Sequence, residues 1–440
     1  MFDGDEGNLW PFMSLMSIAE GKYIMHVKHN LISESTNRPV VGLILDTVTA
    51  LYKLTYFNPL FTPEEFWSFA SHITTTEDLP TLTRRAIKHG VHPYSGRALV
   101  SALFPKDFYY KRGEVQIIDG ILVRGVIESK HLGTAHRSIL QDMRKDPRYG
   151  TERAVNFLTD APFLGTAWLD EYGFSVGITD CAPESEVCRK RVEQQKEIGR
   201  KQYETIINEP VKSKAEEEYK EKQVVASLLS MGGMKLEYSE DNAVRIMAKE
   251  IGGGAKGSPS NVMQMGGMVG QQFIFGERPQ LQLTGKQRTL CTFSPGETSM
   301  ESRGCVLHSF SEGLKMSEFF FHAMSSRQGL MDTAVKTSEI GSIHHKMVKA
   351  VEGVTVAYDG SVRDHLGKII QFSYGNDGFS ASELVSVPTN TTQNLATFID
   401  LKMTAARLNV ARGWAPRKTS RTILQSRRKL LIEMYKNRLE

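Results

Sequence analysis

Residues 317–351 run for thirty-five positions without a proline, and no other feature commits so much of the chain to one element. The stretch reads as a single long helix that starts at a Ser317 cap and runs about 50 Å at 1.5 Å per residue. Its centre, Asp332-Thr333-Ala334-Val335-Lys336-Thr337-Ser338, lacks a wide apolar stripe. A helix that is polar in its middle faces solvent or crosses a cleft. Gly329 and Gly341 each cost about 1 kcal/mol relative to Ala inside such a helix, which points to close packing or bending.

The 440 residues, 40% of them apolar, suffice for a large core and two to four domains. The first third mixes short strands and helices. Val40-Val41-Gly42-Leu43-Ile44-Leu45 is a compact apolar run behind Pro39, and the runs 115–118 and 121–125 flank an Asp119-Gly120 turn, which predicts a hairpin. Thr62-Pro63-Glu64-Glu65-Phe66 predicts a helix start, with Thr62 as cap and Pro63 at the first position. Between 184 and 222, Glu, Lys, Arg and Gln dominate. That pattern fits two charged helices joined near Pro210, a hairpin standing partly in solvent, as well as it fits an ordinary charged surface helix. Gly252-Gly253-Gly254-Ala255-Lys256-Gly257-Ser258-Pro259 and the Met- and Gly-rich stretch 263–268 read as a loop where backbone approaches something closely. The pattern of residues 421–440 predicts an amphipathic helix. The expected fold class is mixed α/β and multidomain.

Charge is unevenly spread. Residues 402–440 hold eleven Lys and Arg against two Glu, a net of +9 on a chain of net +4, so the preceding body is mildly acidic. Such a tail either packs its apolar side on a neighbouring subunit or contacts DNA. Cys181, Cys188, Cys291 and Cys305 show neither zinc-finger nor disulfide-framework spacing, as expected for reduced thiols inside a cell. No apolar run approaches the roughly 18 residues of a membrane span, and Asp3, Asp5 and Glu6 stand where a secretory signal carries bases. The expectation is an intracellular protein of nucleus or cytoplasm, or of a virion, with no membrane partner.

Asp3 and Asp5 flank Gly4, and in a tight turn both carboxylates point at one cation with no Cβ in the way. Carboxylates with waters and substrate phosphates suit Mg²⁺. An ordinary surface turn has the same wording. An EF-hand does not fit, because Gly7 and Asn8 occupy loop positions that want an acid or Asn and then Gly, and Ser14 stands where the Glu belongs. The order Ala255-Lys256-Gly257-Ser258 departs from a phosphate-binding P-loop, no HExxH accompanies the twelve histidines, and no GxSxG nucleophile appears. The residues alone are compatible with nucleic-acid chemistry through a carboxylate loop, a cleft-crossing helix and a basic tail.

Phe2-Asp3-Gly4-Asp5-Glu6 resembles the Asn-Ala-Asp-Phe-Asp-Gly-Asp-Glu signature of the largest, β′-like subunit of multisubunit DNA-directed RNA polymerases. Further segments are similar to that family in the same order: Ser33-Glu34-Ser35-Thr36-Asn37-Arg38-Pro39-Val40-Val41-Gly42, Leu132-Gly133-Thr134, Gly173-Phe174-Ser175-Val176-Gly177, Gly270-Gln271-Gln272, Arg288-Thr289-Leu290 and Glu301-Ser302-Arg303-Gly304. Phe319-Phe320-Phe321-His322-Ala323-Met324 and Gly329-Leu330-Met331-Asp332-Thr333-Ala334-Val335-Lys336-Thr337 look like the bridge helix, in wording nearest the RNA polymerase II type.

The resemblance implies a fragment of the catalytic subunit, divided into the end of the aspartate-loop region (1–45), a pore region (46–180), a funnel region with a helical hairpin (181–315), the bridge helix (316–352), a post-bridge segment (353–380) and a basic C-terminal segment (381–440). It implies Asp3 and Asp5 as catalytic Mg²⁺ ligands in Mg-dependent nucleotidyl transfer from NTPs to an RNA 3′ end. It also implies Thr333, Ala334, Lys336, Thr337 and Ser338 as the bridge-helix face toward template DNA, RNA and the incoming NTP. Implied partners are the second-largest polymerase subunit and the remaining parts of the largest, upstream with the clamp and downstream with the trigger loop. The family's first aspartate falls just before Phe2, so a third carboxylate is expected from outside, and a split or viral arrangement would produce such a chain. Gln328 stands where the family usually has Glu, and Ser338-Glu339-Ile340-Gly341-Ser342 replaces a usual Ala-Glu-Thr-Gly-Tyr. The other reading is a non-catalytic remnant or regulatory protein that docks on polymerase or nucleic acid.

Overall fold

The computed structural model describes residues 6–74, 79–146, 148–181, 186–232, 259–376, 378, 385–387 and 397–399. The chain divides into two compact units, Met1–Val40 with Met347–Glu440, and Val41–Lys346. Within the smaller unit, Ser14 caps α1 (Leu15–Glu20), its hydroxyl accepting the Ser17 N–H at 3.1 Å, and the chain continues through a π-helical turn (Gly21–Met25).

The apolar run 40–45 forms no strand, because the chain bends through Leu45 at φ 55° straight into α2 (Asp46–Tyr56). Gly42 lies so near Gly133 that a Cβ would sit 2.7 Å from its carbonyl carbon, and the Leu43 N–H donates to the Leu132 carbonyl at 3.1 Å. α3 (Pro63–Ala70) begins as its sequence predicts, with a capping box in which Thr62 and Glu65 satisfy each other's backbone N–H. α4 (Leu79–Lys88) and α5 (Gly96–Ser101) lead into a three-stranded antiparallel meander, β1 (Tyr110–Arg112), β2 (Val115–Ile118) and β3 (Ile121–Arg124). Asp119 and Gly120 both take positive φ, 50° and 72°, as the two-residue turn of a right-twisted hairpin requires.

After α6 (Ser129–Leu132) and α7 (Ile139–Lys145), the 23-residue α8 (Gly150–Tyr172) packs on α2. The two helices meet at Gly165, where a Cβ would lie 3.3 Å from Ala50 Cβ. Val48, Leu51, Leu54, Phe157 and Leu164 are fully or almost fully buried here, and each such side chain contributes about 1.5–3 kcal/mol. Thr55 ties this layer to the meander, its Oγ1 accepting the Ile127 N–H at 3.0 Å.

The charged segment resolves into two helices. Following α9 (Ile178–Cys181), α10 (Glu186–Ile207) packs against α11 (Lys214–Gly232), which runs ten residues past the charged composition. Their inner faces bury Tyr203, Val224, Leu228 and Met231 in one cluster with Met263, Met268, Met300 and Cys305. The Met-rich stretch is therefore core rather than loop: α12 (Pro259–Gly266) presents Met263 to the cluster. Residues 251–258 of the glycine-rich breaker lie outside the described residues.

β4 (Gly270–Gln271) pairs with β5 (Cys305–Val306), and the chain then enters α13 (Met316–Val351), 36 residues and about 54 Å long. The smaller unit also holds an antiparallel sheet of β6 (Thr355–Val356), β7 (Val362–Arg363) and β8 (Ile369–Gln371), and a pair, β9 (Val385–Val387) with β10 (Thr397–Ile399). No helix among the described residues is long and apolar enough to cross a membrane.

Candidate functional site

α13 is held at its beginning. It starts at Met316, and its N-terminal cap is not Ser317: Glu318 Oε2 accepts the Lys315 N–H at 2.9 Å. The same carboxylate, almost fully buried, accepts from the Leu307 N–H at 3.1 Å and lies 2.9 Å from His308 Nδ1. Burial pushes the Glu318 carboxyl up, but the bonds from His308 and the two backbone N–H groups outweigh it and hold the group below its ordinary range. Phe321, also buried, stacks on Phe293 with ring centroids 6.1 Å apart. His322 Nδ1 lies 3.2 Å from Gln272 Oε1, Ser325 Oγ donates to the Phe273 carbonyl at 3.0 Å, and Gln328 Oε1 accepts the Phe275 N–H at 2.7 Å. The Gln328 amide oxygen makes that last bond as a neutral acceptor.

Beyond Gln328 the helix stands bare. Thr333, Ala334, Lys336, Thr337 and Ser338 are all exposed. At 100° per residue, Thr333, Thr337 and Gly341 form one line, Ala334 and Ser338 the next, and Lys336 flanks them on the other side. Thr333 Oγ1 donates to the Gly329 carbonyl and Thr337 Oγ1 to the Ala334 carbonyl, both at 2.9 Å, so the hydroxyls present lone pairs outward. Lys336 Nζ is 4.0 Å from Asp332 Oδ2, an exposed i,i+4 pair worth at most about 0.5 kcal/mol, which leaves the ammonium available to an anion. The result is a ledge with one cation, hydroxyl acceptors and a methyl group, suited to lie against bases and phosphates. Of the close packing or bending expected at Gly329 and Gly341, close packing is not found among the described residues: a Cβ at either would meet nothing within 4 Å.

Asp3 and Asp5 lie outside the described residues, as do 402–440. No group of three or more His, Cys, Asp and Glu capable of holding a metal occurs among the described residues.

The structure brings together segments that are scattered in sequence. Gly42 meets Gly133; Gln271 Nε2 donates to the Arg303 carbonyl at 2.8 Å, the Gln272 N–H to the Gly304 carbonyl at 2.9 Å, and Thr289 Oγ1 to the Ser302 carbonyl at 2.6 Å. The last three contacts tie together the segments around 271, 289 and 303, and α13 is seated on their neighbours 272, 273, 275, 293, 307 and 308. His322, Ser325 and Gln328 carry the seating and are not marked by composition. Their i, i+3, i+6 spacing is the one signal that identifies them as a polar stripe.

Family models agree with this architecture. Those of RNA polymerase Rpb1 domains 3, 4 and 5 match residues 30–181, 195–306 and 313–433 in turn. The chain is 32% identical over 424 residues to the DNA-directed RNA polymerase subunit Rpo1N of Halobacterium salinarum, covering 92% of this chain and 42% of that one. It is 31% identical over 426 residues to Rpo1N of Thermococcus celer (86% and 46%) and 29% over 427 residues to a probable DNA-directed RNA polymerase II subunit RPB1 homolog of Invertebrate iridescent virus 6 (88% and 40%). The chain belongs to the RNA polymerase Rpb1 family, the largest-subunit family, and spans less than half the length of these relatives.

Proposed function

We propose that this chain is part of the catalytic largest subunit of a DNA-dependent RNA polymerase, acting within an assembly that includes the second-largest subunit and the remaining parts of the largest. Its reaction is nucleotidyl transfer from NTPs to the RNA 3′ end on a DNA template. The observation that carries this reading is α13, seated by its first thirteen residues and polar and uncovered along its middle. A rod of this kind is useful only if something else lies against it.

In this reading Thr333, Ala334, Lys336, Thr337 and Ser338 face the template base and the incoming pair. The Ala334 methyl offers a flat apolar contact, the threonine oxygens accept, and Lys336 answers phosphate charge. Asp3 and Asp5 hold Mg²⁺: two hard carboxylates around a glycine fit that ion and leave positions for waters, phosphates and other ligands. When bound, the ion supplies charge stabilisation to attacking and leaving oxygens. The segments 46–180 and 181–315, with the α10–α11 hairpin, serve as pore and funnel for nucleotide access.

The test is Asp5→Ala in the assembled polymerase. Extension activity falls by at least about 100-fold, in the range of removing an electrostatic group from an active site, while the complex stays intact by gel filtration. Unchanged extension refutes the assignment.

A further inference from the structure

A groove of about 720 Å³ lies at the joined ends of α10 and α11, outside the chemistry described above. We propose that it binds a chain of phosphates, whether free polyphosphate or the triphosphate of a nucleotide. Three observations converge on it.

The first is a buried cation in its wall. The Arg278 side chain is 1% exposed; Nε and Nη2 each donate at 2.7 Å to an oxygen of Glu221, while Nη1 is buried with no hydrogen-bond partner. That same Glu221 lies 3.8 Å from Arg303 Nη2, so one carboxylate serves two guanidiniums. The guanidinium does not open onto the groove, so it acts there through its charge, which the low-dielectric wall screens little and which favours an anion in the groove.

The second is the local charge. Lys212, Lys214, Lys220, Arg278 and Arg303 line the groove against Glu217 and Glu221, five cations against two carboxylates. Lys220 is partly engaged, its Nζ donating to the Ile207 and Glu209 carbonyls at 2.7 Å each. Lys212 and Lys214 are exposed on the rim. An excess of three positive charges matches a polyphosphate better than a single carboxylate or chloride.

The third is the helix itself. The first turn of α11, 19 residues long, contributes Lys214 and Glu217 to the lining, and the Ser213 hydroxyl that accepts the Glu216 N–H at 3.3 Å marks where that helix begins. The partial positive charge of a helix N-terminus adds to the lysines. Ile207 and Val211 form an apolar side on which a nucleoside can rest.

The proposal is independent of nucleotidyl transfer and is tested on the full chain without polymerase activity. Tripolyphosphate and ATP are titrated by calorimetry at low salt into the unaltered chain, a Lys212→Gln/Lys214→Gln variant and Glu217→Gln. The double variant weakens binding by about tenfold or more, and Glu217→Gln, which removes a repelling carboxylate, tightens it several-fold. Thermal melts confirm that all three chains fold alike. Equal affinity for the two ligands assigns recognition to the phosphates alone, and tighter ATP binding assigns a nucleotide; both uphold the site. The cationic segment 402–440 also attracts polyanions, but binding there does not respond to these substitutions. Absence of binding at millimolar ligand, or binding indifferent to both variants, overturns the proposal.

Discussion

Within α13, residues 316–328 bury Glu318 and Phe321 and bond to the backbone of 273, 275 and 307, whereas residues 333–350 are exposed at every position. The two stretches share one backbone hydrogen-bond ladder and differ in what their side chains answer to. The root is constrained by packing inside this chain. The span is free of that constraint, since none of its side chains is buried by the described residues.

Substitution separates the two. Phe321→Ala, which empties a buried stacked position, lowers unfolding stability by about 3–5 kcal/mol, while Leu330→Ala on the exposed span changes it by no more than about 0.5 kcal/mol; equal effects in urea titration break the comparison. Acid probes the body behind the root. Burial lowers the pKa of His131 to about 3, with Lys130 and Arg112 adding to the effect, so the folded state keeps this ring neutral while the unfolded chain takes up a proton below about pH 6.5. Its contribution is therefore complete above that pH and falls by about 1.4 kcal/mol per pH unit between about 6.5 and 3, a slope that His131→Asn removes in stability-versus-pH curves.

Glu318→Gln, which weakens three hydrogen bonds at the root, costs about 1–3 kcal/mol by thermal melt. Because the Glu318 carboxyl titrates below its ordinary range, the stabilisation it provides is present above about pH 4.3 and fades as pH falls beneath that, so the variant and the unaltered chain converge in acid. Gly341→Ala meets open space and raises helix stability by about 1 kcal/mol or less. If extension by the assembled polymerase drops at the same time, the glycine serves a neighbour or substrate and not the helix. Lys336→Ala has the smallest effect on stability, within about 0.5 kcal/mol by urea titration, yet is expected to reduce extension; no loss of extension removes Lys336 from the proposed ledge.

Much of this was legible from local chemistry. The capping box at Thr62 and Glu65, the hairpin turn at Asp119 and Gly120, and the continuity of α13 follow from side chains reaching backbone three residues away, from glycine's access to positive φ, and from the absence of proline. The Met263 to Met268 stretch misled because methionine and glycine carry no periodicity that separates a core helix from a loop; only the packing of α10 and α11 around it decides. The apolar run at 40–45 left its conformation open, and a distant contact settles it: Gly42 is drawn against Gly133, ninety residues away, and the backbone turns at Leu45.

The long proline-free stretch, from which the reading began, illustrates the division. By itself the sequence determined that residues 316–351 form a rod with a polar middle, since helix propensity and residue pattern act within a few residues of the chain. Only the tertiary structure decided where that rod is gripped, because the groups that hold His322, Ser325 and Gln328 lie some fifty residues upstream and are brought near by the folding of segments that carry no local sign of the contact.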